Sequence, residues 1–144
     1  MALGTQTLDR LRGLLPRLAA AGYAGDLELH THTGQFCVTR NAFGELKLAA
    51  ASTPVSECEL WPASSDEAVQ LGEQRSVDFA NFAASEPELT RGRIRLRVVA
   101  HGLGDPPGER GGQAHMAGDW NRLALEHNRV EFRLVPAAAR AEGI

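Results

Sequence analysis

Leu27-Glu28-Leu29-His30-Thr31 alternates apolar and polar residues, the period-two mark of a half-buried strand. What precedes it decides the fold. Thr7 to Ala21 carries Leu8, Leu11, Leu15 and Leu18 at spacings of three and four, which makes one apolar stripe along a helix. Thr5 or Thr7 can cap its start. Pro16 should kink or interrupt it, and Gly22 is placed to stop it. Gly25-Asp26 then forms a turn. A helix that feeds a strand after so few residues belongs to a two-layer α/β arrangement.

Downstream the same two periods recur. Ser65 to Ser85 reads as a second helix, with Ala68, Leu71, Arg75, Phe79 and Phe82 three or four apart. Ser65 is its expected cap, Asp66 and Glu67 suit its first turn, and Pro87 should bar continuation. Ile94 to Ala100 alternates Ile94, Leu96 and Val98 with Arg93, Arg95 and Arg97, a strand whose arginine face is solvated or covers something acidic. His101 to Gly118 is rich in Gly and Pro and reads as a loop. Asp119 to Glu126 forms a short helix capped by Asp119, and Arg129 to Val135 is the closing strand. Residues 34–64 have no clean period apart from a short strand near Gly44–Ala49. They are expected to be an insertion anchored by Phe43 and Trp61 and pinned at Cys37 and Cys58.

The expected fold is therefore α/β (α+β): a two-layer sandwich with a mixed sheet and two main helices packed on one face. The strand reached through a helical crossover should run parallel to its partner. One domain is expected over 1–136, with the insertion at 35–64 and a flexible tail at 137–144.

Composition narrows the function classes. With 144 residues the chain can bury one real core. A net charge of −3 supplies no field that would draw it to nucleic acid or anionic lipid. No apolar run approaches the length of a transmembrane helix, and Arg10, Arg12 and Arg17 interrupt any signal-peptide core. The chain is either cytosolic or a domain of a longer exported protein. Cys37 and Cys58 either close a loop of about 20 residues in an oxidising compartment or sit as two small core residues.

Several segments in this order resemble the OmpA-like, peptidoglycan-associating domain family. Leu27 to Gly34, ending His30-Thr31-His32-Thr33-Gly34, is similar to the family's V-x-I-x-G-H-T-D strand and loop. Leu71-Gly72-Glu73-Gln74-Arg75-Ser76 is similar to L-S-x-x-R-A. His101-Gly102-Leu103-Gly104-Asp105-Pro106 resembles G-Y-G-E-x-x-P, and Asn128 to Leu134 resembles N-R-R-V-E-F-R-L. The likeness covers about residues 7–135 apart from the insertion. It implies a non-catalytic cell-envelope module, periplasmic, that binds the diaminopimelate stem peptide of peptidoglycan without a cofactor or metal. It also implies a ligand site at Arg75, Thr31, His32, Thr33 and Gly34, with Asp66 as a substitute anion. The pattern has departures. The family's strand before the first helix is missing, displaced or supplied by the insertion. Gly34 stands at the aspartate position, and Ala68 stands at that of the asparagine before L-S. A zwitterion needs a guanidinium for its carboxylate and an anion for its ammonium, so half of that clamp is gone. A degenerate domain of this kind can instead serve protein–protein contact in an envelope assembly, through the insertion and the 101–118 loop.

One rival rests on His30 and His32, which share a strand face and can share a metal ion. Leu29-His30-Thr31-His32-Thr33 also looks like the opening of PHP-type metal phosphoesterases, which makes a metal-dependent hydrolase the alternative. Those enzymes need further ligands from a longer barrel, and His101, His115 and His127 lie in no comparable motif. Gly102-Leu103-Gly104 lacks the third glycine of a dinucleotide loop. No Gly-x-Ser-x-Gly occurs, and the stripe of Arg91, Arg93, Arg95 and Arg97 has no aromatic platform for nucleic acid.

Overall fold

The leucine stripe does what its spacing implies. The computed structural model describes residues 2–104 and 115–137. In it Leu8, Leu11 and Leu15 of α1 (Thr5–Ala20) are buried, and the helix is continuous through Pro16. They meet Leu27 and Leu29 of β1 (Gly25–His32), Phe79 of α3 (Val77–Thr90) and Ile94 of β5 (Ile94–Ala100) in one apolar cluster. α1 packs on α3, so two helices cover one face of the sheet, as expected. β1 is the middle strand of three, with β5 on one side and β6 (Arg129–Pro136) on the other. The β1–β5 pair is parallel, from Gly25↔Ile94 to Thr31↔Ala100, as the crossover requires.

The opposite face of β1 is polar and still largely buried. Asp26 and Glu28 keep only 2% and 18% of their side chains exposed, and Arg97 of β5 reaches both, at 3.5 Å and 3.8 Å. His30 Nε2 lies 2.9 Å from Glu28 Oε1. Arg97 of the β5 arginine face thus covers something acidic, which is what makes the buried Asp26 and part-buried Glu28 tolerable.

The described residues fall into two compact units. The first draws on Met1–Thr31, Leu71–Ala100 and Val130–Ile144, the second on His32–Gln70 and His101–Arg129. The segment expected as an insertion to a single domain is therefore half of a second unit. That unit holds an antiparallel sheet in the order β3-β2-β4 (Leu46–Leu48, Phe36–Arg40, Glu59–Trp61), backed by α4 (Ala117–His127). Its core gathers Cys37, Ala49, Ala117 and Trp120. Asn121 acts on β2 like a neighbouring strand: Cys37 N–H donates to its Oδ1 (2.8 Å), and its Nδ2 donates to Cys37 O (3.1 Å). Trp120 Nε1 donates to Gln35 O at 2.8 Å. Cys37 and Cys58 form a disulfide with Cα atoms 5.3 Å apart, inside the usual span. Arg40 holds both carboxylate oxygens of Glu59 at 2.9 Å, and this keeps the Glu59 carboxyl below the usual carboxylate range.

Several local expectations are corrected. The helix expected over 65–85 is two helices, α2 (Ser65–Glu73) and α3. The break has a cause. Arg75 pairs with Leu3 in a parallel bridge, Ser76 N–H donates to Leu3 O at 3.0 Å, and Ser76 Oγ accepts from Phe79 N–H as the cap of α3. These bonds take the backbone of 75–76 out of the helical ladder. The same Leu3 is fully buried, and this one bridge is what stands before the first helix among the described residues. α3 continues past Pro87 to Thr90, without the ladder bond that an N–H at position 87 would donate four residues back. Neither Thr5 nor Thr7 caps α1: Gly4 holds that position, and Thr7 Oγ1 donates to Ala2 O. Ser64 rather than Ser65 caps α2, accepting from Glu67 N–H at 3.2 Å. α4 starts at Ala117, so Asp119 lies inside its first turn and faces Arg122. Phe43 anchors nothing, being 86% exposed. It tips the turn between β2 and β3, where Asn41 Oδ1 accepts from the amides of Phe43 and Glu45. The expected loop residues Asp105 and Glu109, and the tail beyond residue 137, lie outside the described residues.

Reducing the Cys37–Cys58 bridge should lower the unfolding free energy by about 3 kcal/mol, the loop-closure effect for 21 residues. Denaturant titrations with and without reductant measure it, and coincident curves would show that the bridge constrains nothing.

Candidate functional site

Parallel pairing brings the carboxyl ends of neighbouring strands together, and that is where α/β folds place their ligands. The last pair of β1 and β5 is Thr31↔Ala100, so the next residues along are His32 and His101. Their rings stack, with centroids 4.4 Å apart and planes 5° from parallel. His127 closes α4 and Arg129 opens β6. These four side chains, with Thr33 and the backbone of Gly102, Leu103 and Gly104, line one cleft of about 360 Å³. Among the described residues no aspartate or glutamate lines it.

The loop that forms one wall is fastened to α2. Leu103 N–H donates to Ser65 Oγ at 3.1 Å, and Gly102 lies so close to Ser65 that a Cβ there would stand 2.8 Å from the serine's own. This explains why Ser65 does not cap its helix: its hydroxyl is turned to the loop, and Ser64 takes the cap. Chemically the cleft offers imidazole N–H groups and a guanidinium fork, the donors that meet a carboxylate or phosphate.

The residues singled out from sequence are distributed as follows. His32 and Thr33 line the cleft. Thr31 is buried beneath α2: a Cβ at Gly72 would run into its Oγ1, and that oxygen has no hydrogen-bond partner among the described residues. The Leu71-Gly72 segment therefore does lie alongside the end of β1. Arg75 does not follow it there. It is exposed between α2 and α3, its guanidinium 6.0 Å above the Phe79 ring, and it is not among the cleft-lining residues. Asp66 is exposed in the first turn of α2. Gly34 is buried with its Cα against the carbonyl of Ala124, where any side chain would strike the backbone of α4, and its N–H donates to Asn128 Oδ1 at 3.4 Å. A carboxylate at position 34, as in the family pattern, has no room.

Sequence reasoning passes over His101, His127 and Arg129 as site residues. The signal is present: His32 ends one strand, His101 follows the next, and parallel pairing sets both at one end. The histidine pair weighed as metal ligands does not form such a site. His30 is engaged with Glu28, and among the described residues no group of three or more His, Cys, Asp or Glu is placed to hold an ion.

A second concavity, about 470 Å³, lies on the outer face of the small sheet. It is lined by Phe36, Val38, Leu46, Lys47, Leu48, Trp61 and Leu125. It is apolar, and Leu48 and Leu125 are 59% and 64% exposed.

No family model, no curated protein and no solved structure matches this chain.

An aspartate at position 34, as in the pattern that the sequence resembles, tests the geometry at the strand end. Gly34→Asp should destabilise the protein by about 1–3 kcal/mol, the usual cost of forcing a side chain into filled space. Chemical denaturation reads this directly, and an unchanged midpoint would mean that α4 does not press on Gly34.

Proposed function

We propose that this chain is a non-catalytic binding module of the cell envelope that associates with peptidoglycan, taking stem-peptide carboxylates in the cleft at the carboxyl end of β1. One observation carries the reading: His32, His101, His127 and Arg129 converge on a single cleft with no carboxylate in its lining among the described residues. Such a lining favours an anion over a cation. Stem peptides end in free carboxylates, the group that a guanidinium such as that of Arg129 recognises. The described lining has nothing to take the ammonium of diaminopimelate, so recognition falls on the carboxylates rather than on the whole zwitterion.

Two further observations agree with the setting. The Cys37–Cys58 disulfide suits an oxidising compartment such as the periplasm. Among the described residues no helix is long and apolar enough to cross a membrane. The resemblance to OmpA-like domains adds the ligand class, with the contact moved from Arg75 to Arg129 and the histidines.

A second reading, contact with a protein of an envelope assembly, is favoured by the apolar concavity around Phe36, Val38, Leu48 and Trp61. An exposed apolar patch of this kind commonly marks an interaction surface.

Sedimentation with purified peptidoglycan separates the readings. Wild-type protein should co-sediment. Arg129→Ala and His101→Ala should each weaken retention by about tenfold or more, as expected for a lost charge-assisted hydrogen bond, while Arg75→Ala should leave it unchanged. Retention that fails for Arg75→Ala but survives Arg129→Ala would return the site to the family's arginine. No retention of the wild type would leave the protein-contact reading.

A further inference from the structure

Among the described residues β6 is an edge strand, eight residues long, and its backbone groups divide cleanly between its two sides. Val135 O faces β1, where a Cβ on Gly25 would run into it, and Ala137 N–H donates to Ala24 O at 3.0 Å. Adjacent residues of a strand alternate in direction. The odd-numbered residues therefore turn their N–H and C=O toward β1, and Val130, Phe132 and Leu134 turn theirs outward. Val130 O keeps to this parity by accepting from Arg10 Nη1 of α1 at 3.3 Å.

The geometry points to self-association through this edge: two copies pair β6 with β6, antiparallel across a twofold axis at Phe132, extending the three-stranded sheet into one of six. Register singles out the partner. With Phe132 opposite itself, Val130 stands opposite Leu134, and every outward-facing N–H and C=O of one copy meets an outward-facing partner on the other. In that same register Glu131 stands opposite Arg133 of the second copy, twice by symmetry. These are non-hydrogen-bonded positions, where side chains approach most closely and opposite charges are favourable. A slip of two residues keeps the backbone parity but sets Glu131 opposite Glu131 or Arg133 opposite Arg133, which is unfavourable. A slip of one residue breaks the backbone match. A slip of four would set Arg129 opposite Glu131 but would overlap the strands only over residues 129–131. Among registers that pair most of the strand, the charge pattern Arg129-Val130-Glu131-Phe132-Arg133-Leu134 thus selects one, with the chain itself as partner.

The side chains suit that partner. Glu131 and Arg133 already lie on one face, 3.1 Å apart within the strand, so pairing would join two such couples into a four-charge cluster. Phe132 would meet its symmetry mate beside the Arg10 guanidinium, which lies 4.2 Å above its ring. Leu134, 48% exposed, would be covered by Val130. Arg10 need not leave, because a carbonyl has two lone pairs. Natural edge strands are commonly blunted by charge or proline against indiscriminate pairing. Here Pro136 stops the strand at its end, and the charges reject every nearby register but one.

Sedimentation equilibrium on the full chain tests this. Wild-type protein should show a monomer–dimer equilibrium between micromolar and millimolar concentration. Glu131→Arg and Arg133→Glu should each weaken it by about tenfold or more, because each turns two attractive pairs into two repulsive ones. The two variant chains mixed should form a heterodimer, since each introduced charge then faces the opposite charge introduced on the other chain. The double exchange within one chain should restore the homodimer. Leu134→Pro, which removes an outward N–H and leaves pairing with β1 untouched, should abolish association. Circular dichroism matching that of the wild type confirms that each variant is folded. A wild type that stays monomeric at millimolar concentration overturns the inference, as does a dimer that neither charge reversal weakens.

Discussion

The register between β1 and β5 is the constraint on which the first unit and its core depend. Because the two strands are parallel and aligned from Gly25↔Ile94 to Thr31↔Ala100, one face collects Leu27, Leu29 and Ile94 under the leucines of α1 and Phe79 of α3. The other collects Asp26, Glu28 and His30 under Arg97. A slip of one residue would exchange the faces and bury the carboxylates among the leucines. The register also determines which residues emerge together at the strands' carboxyl ends, and it puts His32 on His101.

The second unit depends on a different device. Its sheet is made of short strands, two of them only three residues long, which have little stability of their own. Cys37 compensates by being held from several directions at once. It is disulfide-bonded to Cys58, hydrogen-bonded through both backbone groups to Asn121, and buried against Ala117 and Trp120. The outer face of that sheet keeps Val38, Leu48 and Trp61 around an open concavity.

How much of this is legible in the sequence follows from the range of each signal. The leucines of α1, the alternation of β1, β5 and β6, and the parallel crossover are local or nearly local and are read correctly, except that Gly25 and Asp26, read as a turn, are the first residues of β1. The Cys37–Cys58 bridge is one of two open choices. The break at Gln74–Ser76 is not legible, because its cause is Leu3, some seventy residues away in sequence, whose backbone pairs with Arg75. The cap at Ser64 is misread because Ser65 looks equally good until Leu103 N–H claims its hydroxyl. The second unit is invisible as such, since α4 returns from far downstream to cover β2. The site is half legible. His32 and Thr33 are in view, but a motif-based reading fixes on Arg75 and Gly34, and the packing of Gly34 on Ala124 is a tertiary fact with no sequence mark. His101, His127 and Arg129 become a group only once the strand ends are assembled.

The proposed function turns on the sign of the charge offered by the cleft at the end of β1. Chemical-shift mapping of the ¹⁵N-labelled protein with a soluble stem-peptide fragment of peptidoglycan addresses that claim most directly. Saturable shifts centred on His32, Thr33, Gly102, His127 and Arg129 are the expected result. Shifts centred instead on Arg75 and Ser76, or none at millimolar fragment, would contradict it.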